Sequence, residues 1–268
     1  MPSMVRPMQP VDQHRDALLA SFDLGGRVAI VTGGSRGIGR AIAEGFAAVG
    51  ASVVIASRKA EACEATATAI NDAGGTAIAV PTHVGDPAQL ADLVAATVEA
   101  FGGIDIVVNN AANPLAQPVG AMTAEGMAKS WEANVRGPVL LVQEALPHLR
   151  ASHHASVINI TTAGVYTNAG YVSLYVAAKS AMTAMTRSMA TELAADGIRV
   201  NAIAPGTVGT DMVFNTPEEF QQAAVDSQLI KRMAEPTEMV PPALLLASDA
   251  GSFMTGHTVI VDGGMTVH

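Results

Sequence analysis

The stretch Arg27-Val-Ala-Ile-Val-Thr-Gly-Gly-Ser-Arg-Gly-Ile-Gly39, continuing to Gly50, constrains the fold more than any other part of the chain. Val28 to Val31 is a short apolar run that suits a buried strand. It passes through Thr32-Gly33-Gly34-Ser35-Arg36-Gly37-Ile38-Gly39 into a segment of helical period. Glycines at such a turn let the backbone approach a pyrophosphate, and the amides opening the helix present a positive dipole end to it. The strand-to-helix context, more than the glycines themselves, selects nucleotide binding over a plain tight turn.

The same alternation recurs along the chain. Strands are predicted at Val28–Val31, Val53–Ile55, Thr76–Val80, Ile104–Val108, Val157–Ile160, Arg199–Ile203 and Val259–Val261, separated by longer helical stretches. Such interleaving predicts an α/β fold: a doubly wound, Rossmann-like, mostly parallel seven-stranded sheet with helices on both faces. Ligands bind such sheets at the carboxyl ends of the strands, and Asn109, Thr161, Thr162 and Pro205 all fall just beyond predicted strand ends. Pro241 and Pro242 are placed early in a helix after Thr237, where they delay its start. No Pro/Gly/Ser-rich linker divides the 268 residues, so residues 24–268 are expected to form one domain, with 1–23 a flexible or packed extension.

The pair Tyr175 and Lys179 sits in Tyr171-Val-Ser-Leu-Tyr-Val-Ala-Ala-Lys-Ser-Ala-Met-Thr-Ala-Met-Thr186. Four residues apart on a helix, an ammonium and a phenol share one face. A free phenol has a pKa of about 10, and a neighbouring positive charge is expected to lower it into a working range. Lys179 is the only charged residue from Tyr171 to Thr186, which an ordinary surface lysine over a core aromatic explains less well.

The second strand ends in Ser57-Arg58-Lys59. An acidic residue there would bind the ribose 2′-hydroxyl of NAD, whereas an arginine accommodates the 2′-phosphate of NADP. With no carboxylate at that point, and with Arg36 of the glycine loop on the same side, the expected cofactor is NADP(H) over NAD(H). The alternative is that Arg58 and Lys59 merely open a solvated helix.

Taken together, these motifs resemble the short-chain dehydrogenase/reductase family in its single-domain form, from about Leu24 to Gly264. The resemblance rests on the glycine loop, Asn109-Asn110-Ala111-Ala112, Asn134 in Glu-Ala-Asn-Val-Arg-Gly, Tyr175 with Lys179, Pro205-Gly206 with Thr210, and Thr255-Gly256 to Asp262-Gly263-Gly264. It implies Asn134, Thr162, Tyr175 and Lys179 as the catalytic group. Tyr175 would be the acid/base, Lys179 would hold the nicotinamide ribose, and Asn134 would position a water. Cofactor contacts are implied for Gly33, Ser35, Arg36, Gly37, Ile38, Gly39, Ser57, Arg58, His83, Val84, Asn110, Ala111, Ala112, Tyr175, Lys179, Pro205, Gly206, Val208 and Thr210. Asn110 would lie along the adenosine ribose, and Val208 and Thr210 would hold the carboxamide. The implied chemistry is hydride transfer between nicotinamide and a carbonyl or alcohol carbon, with the proton exchanged on oxygen.

Three positions depart from the family pattern. Thr162 stands where a serine is usual, keeping the hydroxyl but adding a methyl. Ala112 replaces a glycine, and His83 replaces an aspartate that commonly meets adenine; His83 is equally a surface histidine at a strand end.

The pocket wall is expected from Asn113-Pro114, Val165-Tyr166, Tyr171-Val172 and Val208 to Phe214, with a lid over Thr210 to Gln228. These segments carry Asp211, Glu218 and Glu219 and no lysine or arginine, which disfavours an anionic substrate or an acidic acyl carrier protein. A neutral ketone or secondary alcohol is expected. The alternatives are a 3-oxoacyl thioester reductase of the same family and a nucleotide-binding regulatory protein without turnover. Scattered histidines give no metal site. Fifteen basic against 24 acidic residues, net −9, disfavour nucleic acid. No apolar run approaches the ~20 residues of a membrane span. A single cysteine, Cys63, read as an inert thiol, goes with a reducing, cytoplasmic setting. A homotetramer or homodimer is expected, with Thr258 to Gly264 at one interface.

Overall fold

The computed structural model describes residues 11–167, 170 and 172–267. The elements run α1 (Val11–Ala20), β1 (Val28–Thr32), α2 (Gly37–Ala48), β2 (Ser52–Ser57), α3 (Ala60–Asp72), β3 (Thr76–Pro81), α4 (Pro87–Phe101) and β4 (Ile106–Asn109). Then follow α5 (Ala124–Trp131), a π-helical turn (Glu132–Arg136), α6 (Gly137–Ala151), β5 (Ser156–Ile160), a 3₁₀ turn (Ala163–Tyr166) and α7 (Ser173–Leu193). Last come β6 (Arg199–Pro205), α8 (Asp211–Phe214), α9 (Glu218–Asp226), α10 (Val240–Ala247) and β7 (Thr258–Val261).

The strands form one seven-stranded sheet in the order β3-β2-β1-β4-β5-β6-β7, and every pairing is parallel. Because side chains alternate across a strand, Ala29 and Val31 of β1 join α2, α3 and α10 in one core, while Ile30 joins α4, α6 and α7 in the other. Burial on both faces is why these strands read as continuous apolar runs. Strand order reverses between β1 and β4, which opens a crevice at their carboxyl ends.

All seven predicted strands are present, with shifted limits. β4 begins at Ile106 rather than Ile104, where the Asp105 carboxylate accepts from the Val28 amide at 2.8 Å and from the Ser152 hydroxyl. The prolines after Thr237 act as predicted: a 3₁₀ turn spans Pro236–Met239 and α10 starts at Val240. In the N-terminal extension, residues 1–10 lie outside the described residues. α1 is exposed from Gln13 onward, and Ser21 docks the end of the extension by accepting from the Ala250 amide at 2.9 Å. No helix among the described residues is long and apolar enough to cross a membrane.

Candidate active site

The loop after β1 is shaped by close backbone approaches. Gly33 and Gly37 adopt φ of 65° and 55°, in the left-handed region that side chains disfavour. A Cβ at Gly39 would collide with the Gly33 carbonyl and the Asn110 amide, so only glycine lets α2 start this close to β1. Thr32, buried at the end of β1, locks the loop to the next strand. Its hydroxyl donates to Val108 O at 3.1 Å and accepts from the amides of Asn110 at 3.0 Å and Ala111 at 3.1 Å. Asn110 completes the lock by donating to Thr32 O at 2.9 Å and Gly33 O at 3.2 Å. The Asn110 side-chain amide thus ties the start of the glycine loop to the end of β4. Thr32 carries no sequence signal beyond its place between strand and glycines.

At the end of β2, Ser57 is partly buried, and Arg58 is exposed with no hydrogen bond or ion pair among the described residues. Beyond β3, His83 is exposed. Its Nδ1 accepts from the Gly85 amide at 3.1 Å, which leaves Nε2 as the free ring nitrogen, and Val84 beside it is partly buried. Ser35 O accepts a long bond from the Thr66 hydroxyl of α3 at 3.4 Å. Arg36 is engaged elsewhere: its guanidinium donates to Asp211 Oδ2 at 2.8 Å. Positive loop φ values and glycines that admit close backbone approach fit a dinucleotide's pyrophosphate. Cys63, near this edge, is buried, and burial raises its thiol pKa, as expected of an inert group.

Across the switch point, β5 delivers Thr161 and Thr162. Thr162 caps the 3₁₀ turn by accepting from the Gly164 amide at 3.2 Å. A Cβ on Gly164 would lie 3.6 Å from Val176, so this turn rests against α7 next to Tyr175. Tyr175 stands in the first turn of α7, partly exposed, and Lys179 follows one turn later at 3% exposure. The Lys179 ammonium donates to Ile160 O at 2.7 Å and sits 5.8 Å from the Tyr175 ring centroid. Thr162, Tyr175 and Lys179 are thus brought together around the end of β5.

Burial governs both ionisations: it pushes the Tyr175 phenol up to about 12 and the Lys179 ammonium down to about 8. The expectation that the lysine lowers the phenol's pKa is not met in this geometry. The ammonium donates to a backbone carbonyl, and desolvation is what raises the phenol.

Asn134 is fully buried in the π-helical turn, a local irregularity that recurs at functional sites. Its amide donates to Asn113 O and Ser130 O, each at 2.9 Å, and accepts from the Asn113 amide at 3.1 Å. Ser130, unmarked in the sequence, reaches Leu174 O at 3.5 Å and so links this turn to the residue before Tyr175. Ala112 lies partly buried just ahead of that junction.

After β6, Gly206 passes so close to Asp262 that a Cβ would lie 2.7 Å from its Cα. Val208 bridges to Ala234, and the Thr210 hydroxyl donates weakly to Val208 O at 3.4 Å. Gln228 pins the far end of the segment, accepting from the Thr207 amide at 3.0 Å and donating to Arg232 O at 2.8 Å. Between these anchors α8 and α9 are mostly exposed, with Met212 and Phe214 in α8. Of the expected pocket wall, Tyr171 lies outside the described residues. No group of three metal-ligating side chains occurs among the described residues.

The family model described as "Enoyl-(Acyl carrier protein) reductase" matches residues 33–266. Among curated proteins, "Short-chain dehydrogenase/reductase SDRA" of Arabidopsis thaliana is 38% identical over 90% of this chain and 95% of its own length. Among solved structures, a short-chain type dehydrogenase/reductase from Mycobacterium marinum superposes with a TM-score of 0.88 at 33% identity, covering 94% of this chain and all 100% of its own. A 3-oxoacyl (acyl-carrier-protein) reductase from Agrobacterium tumefaciens C58, solved with NADP bound, gives 0.85 at 35% identity over 91% of this chain and 96% of its own.

Proposed function

Since the chain belongs to the short-chain dehydrogenase/reductase family, we propose that it is an NADP(H)-dependent oxidoreductase acting on a neutral ketone or secondary alcohol, with Tyr175 as acid/base. The observation that carries this reading is the Lys179 ammonium, buried and fixed to Ile160 O at 2.7 Å between the strand bearing Thr162 and the turn bearing Tyr175. A desolvated cation with no carboxylate partner among the described residues is costly, and a role at a site accounts for it.

A bound nicotinamide supplies or accepts the hydride at the substrate carbon. The chain's own groups handle the oxygen. Tyr175 Oη gives its proton to the carbonyl oxygen in reduction and takes it back in oxidation. The Lys179 charge opposes the burial that holds this proton tightly. The Thr162 hydroxyl orients the substrate oxygen, and Asn134 fixes the backbone at Asn113 beside it while positioning a water for proton return. Gly33, Ser35, Gly37, Ile38 and Gly39 would hold the pyrophosphate, and Arg58 with Arg36 the 2′-phosphate. His83, Val84, Ala111 and Ala112 would line the adenosine side, and Pro205, Gly206, Val208 and Thr210 the nicotinamide side.

The lid carries Asp211, Glu218 and Glu219 together with Met212 and Phe214, which suits a neutral, partly apolar substrate. The 3-oxoacyl thioester reading draws on the activity named for the NADP-bound relative, and the acidic lid weighs against a carrier protein. We also propose a homotetramer or homodimer paired through the edge strand β7, whose Ile260 is 42% exposed, and a cytoplasmic setting.

The test is a panel of ketones, secondary alcohols and 3-oxoacyl thioesters with each cofactor, followed by nicotinamide absorbance. Turnover of neutral carbonyls with NADPH is expected, whereas cofactor binding without turnover across the panel would establish the regulatory alternative.

A further inference from the structure

Arg36 and Asp211 are 175 residues apart in sequence yet joined at 2.8 Å, one in the glycine loop and the other the first residue of α8. The contact is not confined to their tips. A Cβ at Gly37 would meet Thr210 Cγ2 at 3.1 Å, so the Thr210 side chain, next to Asp211, packs against the loop backbone. The other side of the loop faces α3, where Thr66 reaches Ser35 O and which opens just after Arg58. Arg36 thus has an anionic partner in Asp211 on the lid, whereas Arg58 at the end of β2, the strand paired with β1, has none among the described residues.

We propose that Asp211 is a specificity-determining residue that competes with the cofactor's 2′-phosphate for Arg36 and so couples the choice of cofactor to the lid. The proposal rests on the NADP(H) reading above. With the phosphorylated cofactor, Arg36 turns from the carboxylate to the phosphate, one anion replacing another, and the root of α8 is released from the glycine loop. With NAD(H), which carries no 2′-phosphate, Arg36 stays on Asp211 and the lid root stays tethered. The side chains are 71% and 59% exposed, so the pair is weak enough to exchange and a dianion is the stronger partner.

The test separates this coupling from the reading beneath it. Binding of NADPH, NADH and adenosine 2′,5′-bisphosphate is measured by calorimetry for the wild type, Asp211→Asn, Arg36→Ala and Arg58→Ala. Hydrogen exchange of residues 211–227 is followed with each cofactor. Asp211→Asn removes the competitor while keeping its shape. It is expected to tighten NADPH and the bisphosphate by about 2- to 5-fold, the strength of an exposed ion pair, and to leave NADH unchanged. In the wild type the lid is expected to exchange faster with NADPH than with NADH; in Arg36→Ala it exchanges fast with either. If Arg36→Ala weakens NADPH selectively but Asp211→Asn changes nothing, the competition is overturned and the cofactor reading stands. If neither arginine variant alters the NADPH/NADH ratio, the cofactor reading itself falls. Equal lid exchange with both cofactors in the wild type overturns the coupling.

Discussion

Lys179 donates its ammonium to the carbonyl of Ile160 at 2.7 Å, the last residue of β5, and so fastens α7 to the strand that carries Thr162. One charged bond positions two of the candidate catalytic groups relative to each other, and it lies where burial disfavours the charge.

This bond sets a conflict between function and stability. Lys179 falls from 10.5 to about 8, so at neutral pH the folded state bears a cost on the order of 3 kcal/mol for keeping it charged. Lys179→Met is expected to raise the stability at pH 7 by about 1–3 kcal/mol while abolishing turnover. The sign can be checked against pH. Because the folded pKa lies below the unfolded one, the folded state binds fewer protons between them, and wild-type stability rises from pH 8 towards 10.5. Tyr175, raised from 10.0 to about 12, acts oppositely and only above pH 10. Urea unfolding from pH 7 to 10 should therefore show a rise in the wild type that is missing in Lys179→Met.

Tyr175→Phe keeps the ring and removes the proton. Turnover is expected to fall by about 10²–10⁴-fold with NADPH affinity retained, since general acid/base catalysis contributes in that range. Near-normal turnover would remove Tyr175 from the chemistry.

Thr162 has two possible duties, because its hydroxyl already caps Gly164 at 3.2 Å. Thr162→Val therefore loses the cap under either reading, at about 0.5–2 kcal/mol of stability, so stability alone decides nothing. The catalytic role predicts in addition a fall in kcat/KM for Val, with Ser close to wild type. If kcat/KM is unchanged in folded Thr162→Val, the hydroxyl serves the turn only.

Arg58→Ala is expected to weaken NADPH by roughly 10- to 150-fold and leave NADH nearly unchanged, the range of a charged hydrogen bond. Equal losses for both cofactors in a titration would mark Arg58 as structural.

Gly39→Ala places a Cβ against the backbone carbonyl of Gly33 and against the Asn110 side-chain amide, which is held by its bonds to Thr32 O and Gly33 O. The loop must open, so both cofactors are expected to bind at least about tenfold more weakly, with a loss of more than about 1 kcal/mol in stability. Gly74→Ala, in a turn with no heavy atom within 4 Å but with φ of 87°, serves as a control that strains the backbone without touching the site.

Sequence determined the local grammar of this protein. Apolar runs bounded by turns identified all seven strands, because a sheet buried on both faces needs them. The glycines after β1 marked a close backbone approach, the predicted strand ends put Asn109, Thr161, Thr162 and Pro205 at the carboxyl rim of the sheet, and the family resemblance implied Asn134, Thr162, Tyr175 and Lys179 as a group. What only the tertiary structure decided are the pairings between distant segments and the energies that follow from them. Thr32 with Asn110, Arg36 with Asp211 and Ser130 with the turn before Tyr175 join residues 78, 175 and 44 positions apart, a spacing that no local period encodes. The direction of the Tyr175 and Lys179 shifts likewise came out opposite for the phenol. A spacing of four residues specifies that two side chains share a helix face, whereas desolvation and the competing carbonyl of Ile160 depend on everything packed around them.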